Sequence, residues 1–513
     1  MLVSVEQLFQ SILQARRRVY ALAPATPLQQ LRVESPQCGE LFIKREDLSP
    51  IHAYKWRGSY NRMCQLSAQE LERGVVCASA GNHAQGVALS ASKLGTHALI
   101  FMPRSTPQMK IEAVRRLGGS AAEVVLKGGS YDEAYQLAME AAKERNLPFI
   151  HAYDDLEVIA GQGTLADEIV MQGIGHLDRV YLQIGGGGMA AGVACWLKTY
   201  FPEVEIVGVE GVDQASMAAA VRAGEPVELD YVDVFCDGTA VRKAGVLTHS
   251  LCAQLIDRFV TVTNEEVCAA IQMLWESQRI IPEPAGAMGL AAWLNEKADL
   301  AGKRCLVVVC GANMDFGQLA WVVKHAGIGS SRRKFYRFFL EERAGALLEL
   351  LQHFPDEVNI VEFQHGLTAG PIVAPVIGID ATPLQLVQLE QRLHELDIRF
   401  EDATHDEDVE FRIIHYEASL FQRPVFVRIE FHERPGALSS FLQRNCRKAS
   451  IIYFNYGYTG ERVGRALIGF DFAEEGARAE FIAMLKRKDP SLRRVAELPQ
   501  CALERIMGGS NPA

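Results

Sequence analysis

The sequence predicts an α/β region built on parallel sheets, followed by a smaller α+β region that is internally duplicated. Two observations carry this expectation. From about residue 75 to residue 322, short apolar runs alternate with amphipathic segments of helical period. That is the pattern of parallel strands buried on both faces, with helices between them. After "KHAGIGSSRRK" the texture changes, and "FYRFFLEERAGALLELLQ" (335–352) aligns without gaps on "FVRIEFHERPGALSSFLQ" (426–443). A repeat of this length marks two copies of one supersecondary unit.

In the first region the expected strands are "GVVCAS", "HALIFM", "AEVVL", "RVYLQIGGGG", "VEIVGVE" and "CLVVVCGAN". Between them, segments such as "SYDEAYQLAMEAAKER" and "NEEVCAAIQMLWESQ" carry apolar residues at helical spacing. In the second region the register of the repeat persists, with "NIVEF" matching "SIIYF". "PVIGIDATPLQLVQLEQRLHELDIRFED" then supplies strand, helix and strand, which completes a ferredoxin-like βαββαβ unit. The second copy continues through "RALIGFDF", "GARAEFIAMLKRK" and "RRVAEL". The expected domains are residues 1–322, a linker at 323–334, and two subdomains at 335–418 and 419–513.

The bulk numbers exclude several function classes. A chain of 513 residues exceeds one compact core, and 49% hydrophobic residues with 22% charged describe a globular protein. A net charge of -11 argues against a nucleic-acid partner, which requires a basic face. Eleven cysteines, mostly single in apolar surroundings and without a CxxC pair, suggest buried thiols in a reducing compartment. The N-terminal "MLVSVEQLFQSILQARRRVY" has helical spacing interrupted by Glu6 and Gln7, unlike a secretory signal. No apolar run approaches a membrane span, and the expected location is the cytoplasm.

"QIGGGGMAAGVA" (183–194) places four glycines after a strand and before a helix. Such a turn converges backbone N–H groups on an anion, and the helix N-terminus adds partial positive charge. The spacing is neither the dinucleotide GxGxxG nor a nucleotide P-loop, so the ligand it suits carries one phosphate. Far upstream, "IHAYKWRGSYN" sets Lys55 among Tyr54, Trp56 and Tyr60. A lysine in that company is either snorkelling from a packed surface or held in a pocket for its amine. A carbonyl-condensing amine together with a monophosphate cradle points to pyridoxal phosphate. "SAGNHAQGVA" (79–88) also follows a strand and opens a helix, so Ser79, Ala80, Gly81, Asn82 and His83 form a candidate carboxylate-binding turn. His83 is a candidate acid or base, or simply packs the helix start. Cys310 in "VVVCGANMDF" ends a strand where an α/β fold places cofactor contacts. In "PEPAGAM", Glu283 and Pro284 open a helix.

Taken together, these motifs give the chain a resemblance to pyridoxal-phosphate enzymes of the tryptophan-synthase-β fold, and within them to biosynthetic threonine deaminases with a C-terminal tandem ACT-like regulatory module. The resemblance runs from "LFIKREDLSPIHAYKWRGSYN" through "SAGNHAQGVA", "IAGQGTLADEI", "GGGGMAAGVA", "PEPAGA" and "CGANMDF" into the repeat. It implies a two-lobed catalytic domain in which Lys55 is the Schiff-base lysine and Tyr54 an aromatic beside the cofactor. Asn82 then contacts the pyridoxal 3′-oxygen, and Gly185, Gly186, Gly187, Gly188 and Met189 cradle the phosphate. Glu283 joins the cofactor set, and Cys310 stands at the pyridine nitrogen, where these deaminases more often have serine. A thiol there is neutral too but a weaker hydrogen-bonder.

The implied reaction is α,β-elimination of water from threonine, with Lys55 as general base, giving 2-oxobutanoate and ammonia at the first committed step of isoleucine biosynthesis. Serine is an expected second substrate. The resemblance also implies a homotetramer and branched-chain amino-acid effectors, with Gly345, Ala346, Leu347, Gly436, Ala437 and Leu438 as candidate effector contacts. Glu210 and Asp213 lie where some relatives bind a cation, although two carboxylates after a strand are usually solvated, and no metal is assigned. The alternatives are a serine racemase or dehydratase, a β-replacement enzyme of the same fold, and a catalytically silent amino-acid sensor.

Overall fold

The computed structural model describes residues 3–31, 39–341, 349–350, 353–355, 358–364, 372–411, 423–432, 450–456, 463–472, 474–485, 492–499 and 502–504. The chain divides into two compact units, Met1–Phe316 and Gly317–Ala513.

Among its described residues the first unit holds nine strands: β1 (Leu28–Leu31), β2 (Glu40–Arg45), β3 (Val75–Ala78), β4 (Ala98–Met102), β5 (Ala122–Leu126), β6 (Arg179–Gln183), β7 (Glu205–Gly211), β8 (Arg258–Val262) and β9 (Arg304–Val309). They form two sheets and so define two lobes. A three-stranded parallel sheet has the order β3-β4-β5, and a six-stranded sheet has the order β1-β2-β9-β6-β7-β8. Every expected strand of this region is present. The larger sheet is not purely parallel, because β1 pairs antiparallel with β2 at its edge. The strands β1, β2 and β8 carry polar residues along short runs and gave no continuous apolar signal.

Several helices begin where the sequence provides caps. Ser4 with Gln7, Ser67 with Glu70, and Thr263 with Glu266 each make a reciprocal capping box. Pro284 occupies the first turn of the helix Pro284–Glu296, where its missing N–H costs nothing. The smaller sheet packs on an apolar cluster of Val75, Cys77, Val87, Ile100, Ile111 and Val114. The eight described cysteines are all free thiols, and seven are buried. Among the described residues, no helix is long and apolar enough to cross a membrane.

One ionic network lies in the core of this unit. The Arg57 guanidinium donates to both oxygens of Glu46 at 2.9 Å and to Glu168 Oε1 at 2.5 Å. Lys44 Nζ donates to Glu168 Oε2 at 2.7 Å and to Thr26 O at 2.6 Å. All four ionic side chains are fully buried. Two acids and two bases cancel in charge, and the network anchors the helix Trp56–Met63 immediately after Lys55.

The second unit opens with the helix Gln318–Gly329 and the strand β10 (Arg333–Phe338). The expected linker 323–334 is thus the second half of a helix and the first residues of a strand. "WVVKHAGIG" has enough apolar residues to keep the helix going, and "SRRK" supplies a tight turn and a strand start rather than a solvated tether. The remaining strands are β11 (Leu340–Glu341), β12 (Asn359–Gln364), β13 (Ile372–Val373), β14 (Val376–Asp380), β15 (Phe400–Asp402), β16 (Val425–His432), β17 (Ser450–Tyr456), β18 (Val463–Asp471) and β19 (Leu492–Glu497). Two antiparallel sheets result, β12-β14-β10-β15 and β17-β18-β16-β19. Numbered within each copy, both have the strand order 2-3-1-4, so the sequence repeat is a structural repeat. Small β11 and β13 form a separate ribbon.

The copies share an ionic feature. Arg337 on β10 pairs with Glu401, Asp406 and Asp408, while Arg428, its counterpart on β16, pairs with Glu407. Both repeat-related arginines therefore hold the same acidic segment between the copies. The candidate effector residues Gly345, Ala346, Leu347, Gly436, Ala437 and Leu438 lie outside the described residues.

Candidate active site

A cleft in the first unit is lined by Tyr54, Lys55, Asn82, Tyr153, Gln183, the run Gly185–Ala190, Gly238, Thr239, Val241, Glu283, Ala285 and Cys310. All the residues expected to bind a cofactor are in this lining, although they come from positions 54 to 310. The topology explains why. β6 delivers the glycine run, β9 ends one residue before Cys310, and β3 leads through the turn 79–81 to Asn82.

Lys55 caps the N-terminus of the helix Trp56–Met63, donates from Nζ to Ala152 O at 3.2 Å, and lies 5.3 Å from the Tyr54 ring centroid. Burial lowers its pKa to about 8, with the nearby Glu283 partly opposing the shift. The amine is thereby available as a nucleophile and base near neutral pH, which an ordinary lysine is not.

The glycine turn has no room for side chains. A Cβ on Gly186 would stand 2.2 Å from the Tyr153 ring. Gly187 has φ +87°, a left-handed conformation that favours glycine, and precedes the helix Gly188–Tyr200, which no side chain caps. A phosphate fits what this turn offers: open backbone amides and a helix N-terminus.

At the other side of the cleft, Asn82 Nδ2 donates to Glu283 Oε1 at 2.8 Å, and Asn313 Nδ2 donates to Asn82 Oδ1 at 2.8 Å. Burial, reinforced by Asp237, raises the Glu283 carboxyl to about 7. Burial also raises the Cys310 thiol, so it stays protonated and neutral. The cleft thus presents an anion cradle, a low-pKa lysine and a neutral thiol, which fits pyridoxal phosphate.

Several sequence expectations are placed differently. Of the five residues expected to hold substrate, Asn82 lines the cleft, whereas Ser79, Ala80, Gly81 and His83 are outside the lining. Ser79 Oγ accepts from Gly81 N at 3.2 Å, and the helix Asn82–Leu94 has no side-chain cap. His83 is buried, and Nε2–H donates to Ile150 O at 2.9 Å. Burial and Lys55 lower its pKa to about 3, so it is a neutral packing residue rather than a charged acid. Glu210 accepts from the backbone N–H groups of Met217 and Ala218, both at 2.8 Å, at the start of the helix Ser216–Ala223.

Of the aromatics around Lys55, Tyr54 faces the cleft. Trp56 instead packs in an apolar cluster with Val19, Ile51 and Leu89, and Tyr60 is not in the lining. The second aromatic wall is Tyr153, in "HAYDD", which sequence reasoning missed. Gln183, Gly238, Thr239 and Val241 were missed as well. Only the position of Gln183, two residues before the glycine run, gave a usable signal.

The fold and this cleft define a pyridoxal-phosphate-dependent enzyme. The profile of the family "Pyridoxal-phosphate dependent enzyme" matches residues 21–311, and "C-terminal regulatory domain of Threonine dehydratase" matches residues 418–498, the second copy of the repeat. The chain is 38% identical over 479 residues to the biosynthetic L-threonine dehydratase of Haemophilus influenzae, covering 92% of each chain. Among solved structures, threonine deaminase isoform 2 of Solanum lycopersicum is 40% identical with a TM-score of 0.60, covering 64% of this chain and 97% of that one. Maize serine racemase is 29% identical with a TM-score of 0.57, covering 61% and 96%. The chain belongs to the biosynthetic threonine dehydratase family.

Proposed function

We propose that the chain deaminates L-threonine to 2-oxobutanoate and ammonia, with pyridoxal phosphate held in the cleft. The low-pKa Lys55 lining one cleft with the glycine turn is the observation that carries this reading. Pyridoxal phosphate supplies an aldehyde for an amine and a conjugated ring that withdraws electrons from the substrate Cα. The chain's residues supply the rest. Backbone amides from Gly185 to Met189 bind the phosphate, and Tyr54 and Tyr153 wall the cleft against water. Lys55 Nζ takes the Cα proton. The Cys310 thiol would offer the cofactor ring nitrogen a neutral contact, and Asn82 would hold the ring oxygen. The uncapped amides at the start of the helix Asn82–Leu94, with the turn Ser79-Ala80-Gly81, are the proposed seat of the substrate carboxylate. His83 then supports this turn by packing.

The duplicated second unit is a regulatory domain. We infer that its effectors are branched-chain amino acids, that the turns 345–347 and 436–438 contact them, and that the working enzyme is a cytoplasmic homotetramer. The experiment is a 2-oxo-acid assay on purified protein with threonine or serine, with and without isoleucine. Threonine is expected to give 2-oxobutanoate, and isoleucine to suppress it. No 2-oxobutanoate refutes the activity, and indifference to isoleucine refutes the effector assignment alone.

A further inference from the structure

Lys110 lies in the first turn of the helix Gln108–Gly118, which packs against the lobe of the three-stranded sheet. It is 5% exposed, and its Nζ stands 2.6 Å from Asp237 Oδ2 in the other lobe. Asp237 directly precedes Gly238 and Thr239, which line the cleft. A Cβ on Gly238 would stand 3.5 Å from Glu283 Oε1, and one on Gly185 would stand 2.7 Å from Thr239 Cα. The ion pair therefore ties a wall of the cleft to the opposite lobe, close to the Glu283 carboxyl that Asn82 donates to.

We propose that Lys110 and Asp237 are positioning residues that act through Glu283: the pair sets the charge on Glu283, and Glu283 sets which edge of the Asn82 amide faces the cleft. The proposal rests on the cleft being the cofactor site. An ionised carboxylate accepts only, so it obliges Asn82 to turn Nδ2 toward it, while Oδ1 takes the Asn313 proton. The second Nδ2 proton is then available to the cleft. A protonated Glu283 can donate as well, which permits the amide to flip and presents the wrong edge.

Burial is the largest influence on the Glu283 carboxyl, Asp237 raises it further, and the Asn82 hydrogen bond, Lys110 and the Asn313 backbone N–H lower it. The other titratable groups that sense it are Tyr54, Lys55 and Cys310 in the cleft, and Cys236 on the Asp237 loop. Burial keeps the phenol and both thiols neutral. Lys110, Asp237 and Lys55 are therefore the charged neighbours at neutral pH. Lys110 and Asp237 have opposite signs, so their removal has opposite consequences. A pair that merely braced the lobes would respond the same way to losing either partner.

The test is a pH titration of the Glu283 carboxylic-acid infrared band in the full-length holoenzyme, with Glu283→Gln subtracted to assign it. Lys110→Met is expected to raise the midpoint by about one pH unit, and Asp237→Asn to lower it by about one, the size of a nearby charge effect. Lys110→Arg keeps the cation and should restore the wild-type midpoint. Shifts in the same direction, or none, overturn the proposal. Asp237→Asn is isosteric and carries the test alone if Lys110→Met does not fold; an unchanged or raised midpoint then overturns it. The band is read without turnover. Opposite shifts in a protein that makes no 2-oxobutanoate would leave the pair's role intact and refute the proposed activity instead.

Discussion

Glu283 Oε1 accepts a 2.8 Å hydrogen bond from Asn82 Nδ2, joining the N-termini of two helices that start 202 residues apart, at Asn82 and Pro284. The bond crosses between the lobes at the edge of the cleft. Glu283→Ala leaves the half-buried Asn82 Nδ2 without this acceptor, which should destabilise the first unit by about 1 kcal/mol. Urea unfolding followed by tryptophan fluorescence measures it, and Glu283→Gln should recover most of the loss.

The glycine turn predicts a steric effect. In Gly186→Ala the new methyl collides with the Tyr153 ring at 2.2 Å, and one of the two must move. Affinity for pyridoxal phosphate is expected to fall at least about tenfold, or about 1.4 kcal/mol. Equilibrium dialysis of the apoprotein reads this directly. The double variant Gly186→Ala with Tyr153→Ala should regain part of it.

Lys55 predicts a pH dependence with a definite sign. Only the neutral amine attacks a carbonyl, and burial has lowered this amine to about 8. The rate at which apoprotein takes up pyridoxal phosphate should therefore rise with pH and level off above about 8. Stopped-flow absorbance follows it. A midpoint near the ordinary lysine value of 10.5 would show that burial does not govern the amine.

The buried network predicts a large stability loss. Arg57→Met leaves Glu46 and Glu168 in the core with Lys44 as the remaining cation. Breaking a buried ionic group by removing one partner costs about 3–5 kcal/mol. The transition of the first unit in urea should shift accordingly, and Arg57→Lys should rescue little, because ammonium cannot reproduce the forked contact to Glu46.

Much of this was legible in the sequence, and for physical reasons. Strands such as "CLVVVCGAN" are buried on both faces and read as apolar runs, and glycines in a turn without side-chain room cannot be exchanged for other residues. The gapless repeat likewise announced two sheets of one topology, and Arg337 and Arg428 proved to be repeat partners on one acidic segment. The rest depended on tertiary placement. Tyr153 carries no local signature, because what makes it a wall is its contact with Gly186. Trp56 was given no chemical role for the same reason: it stands one residue from Lys55 on a helix start, and only the fold shows that its side chain packs in an apolar cluster. Lys110 and Asp237 are ordinary surface types in sequence, and only the fold makes them a partly buried pair.

The central claim is that Lys55 anchors the cofactor in this cleft. Borohydride reduction of the holoenzyme, followed by proteolysis and mass spectrometry, locates the bond between lysine and cofactor. The predicted result is one modified peptide carrying the label on Lys55, with Lys55→Ala unlabelled and inactive toward threonine. A label on another lysine, or full turnover by Lys55→Ala, would contradict it.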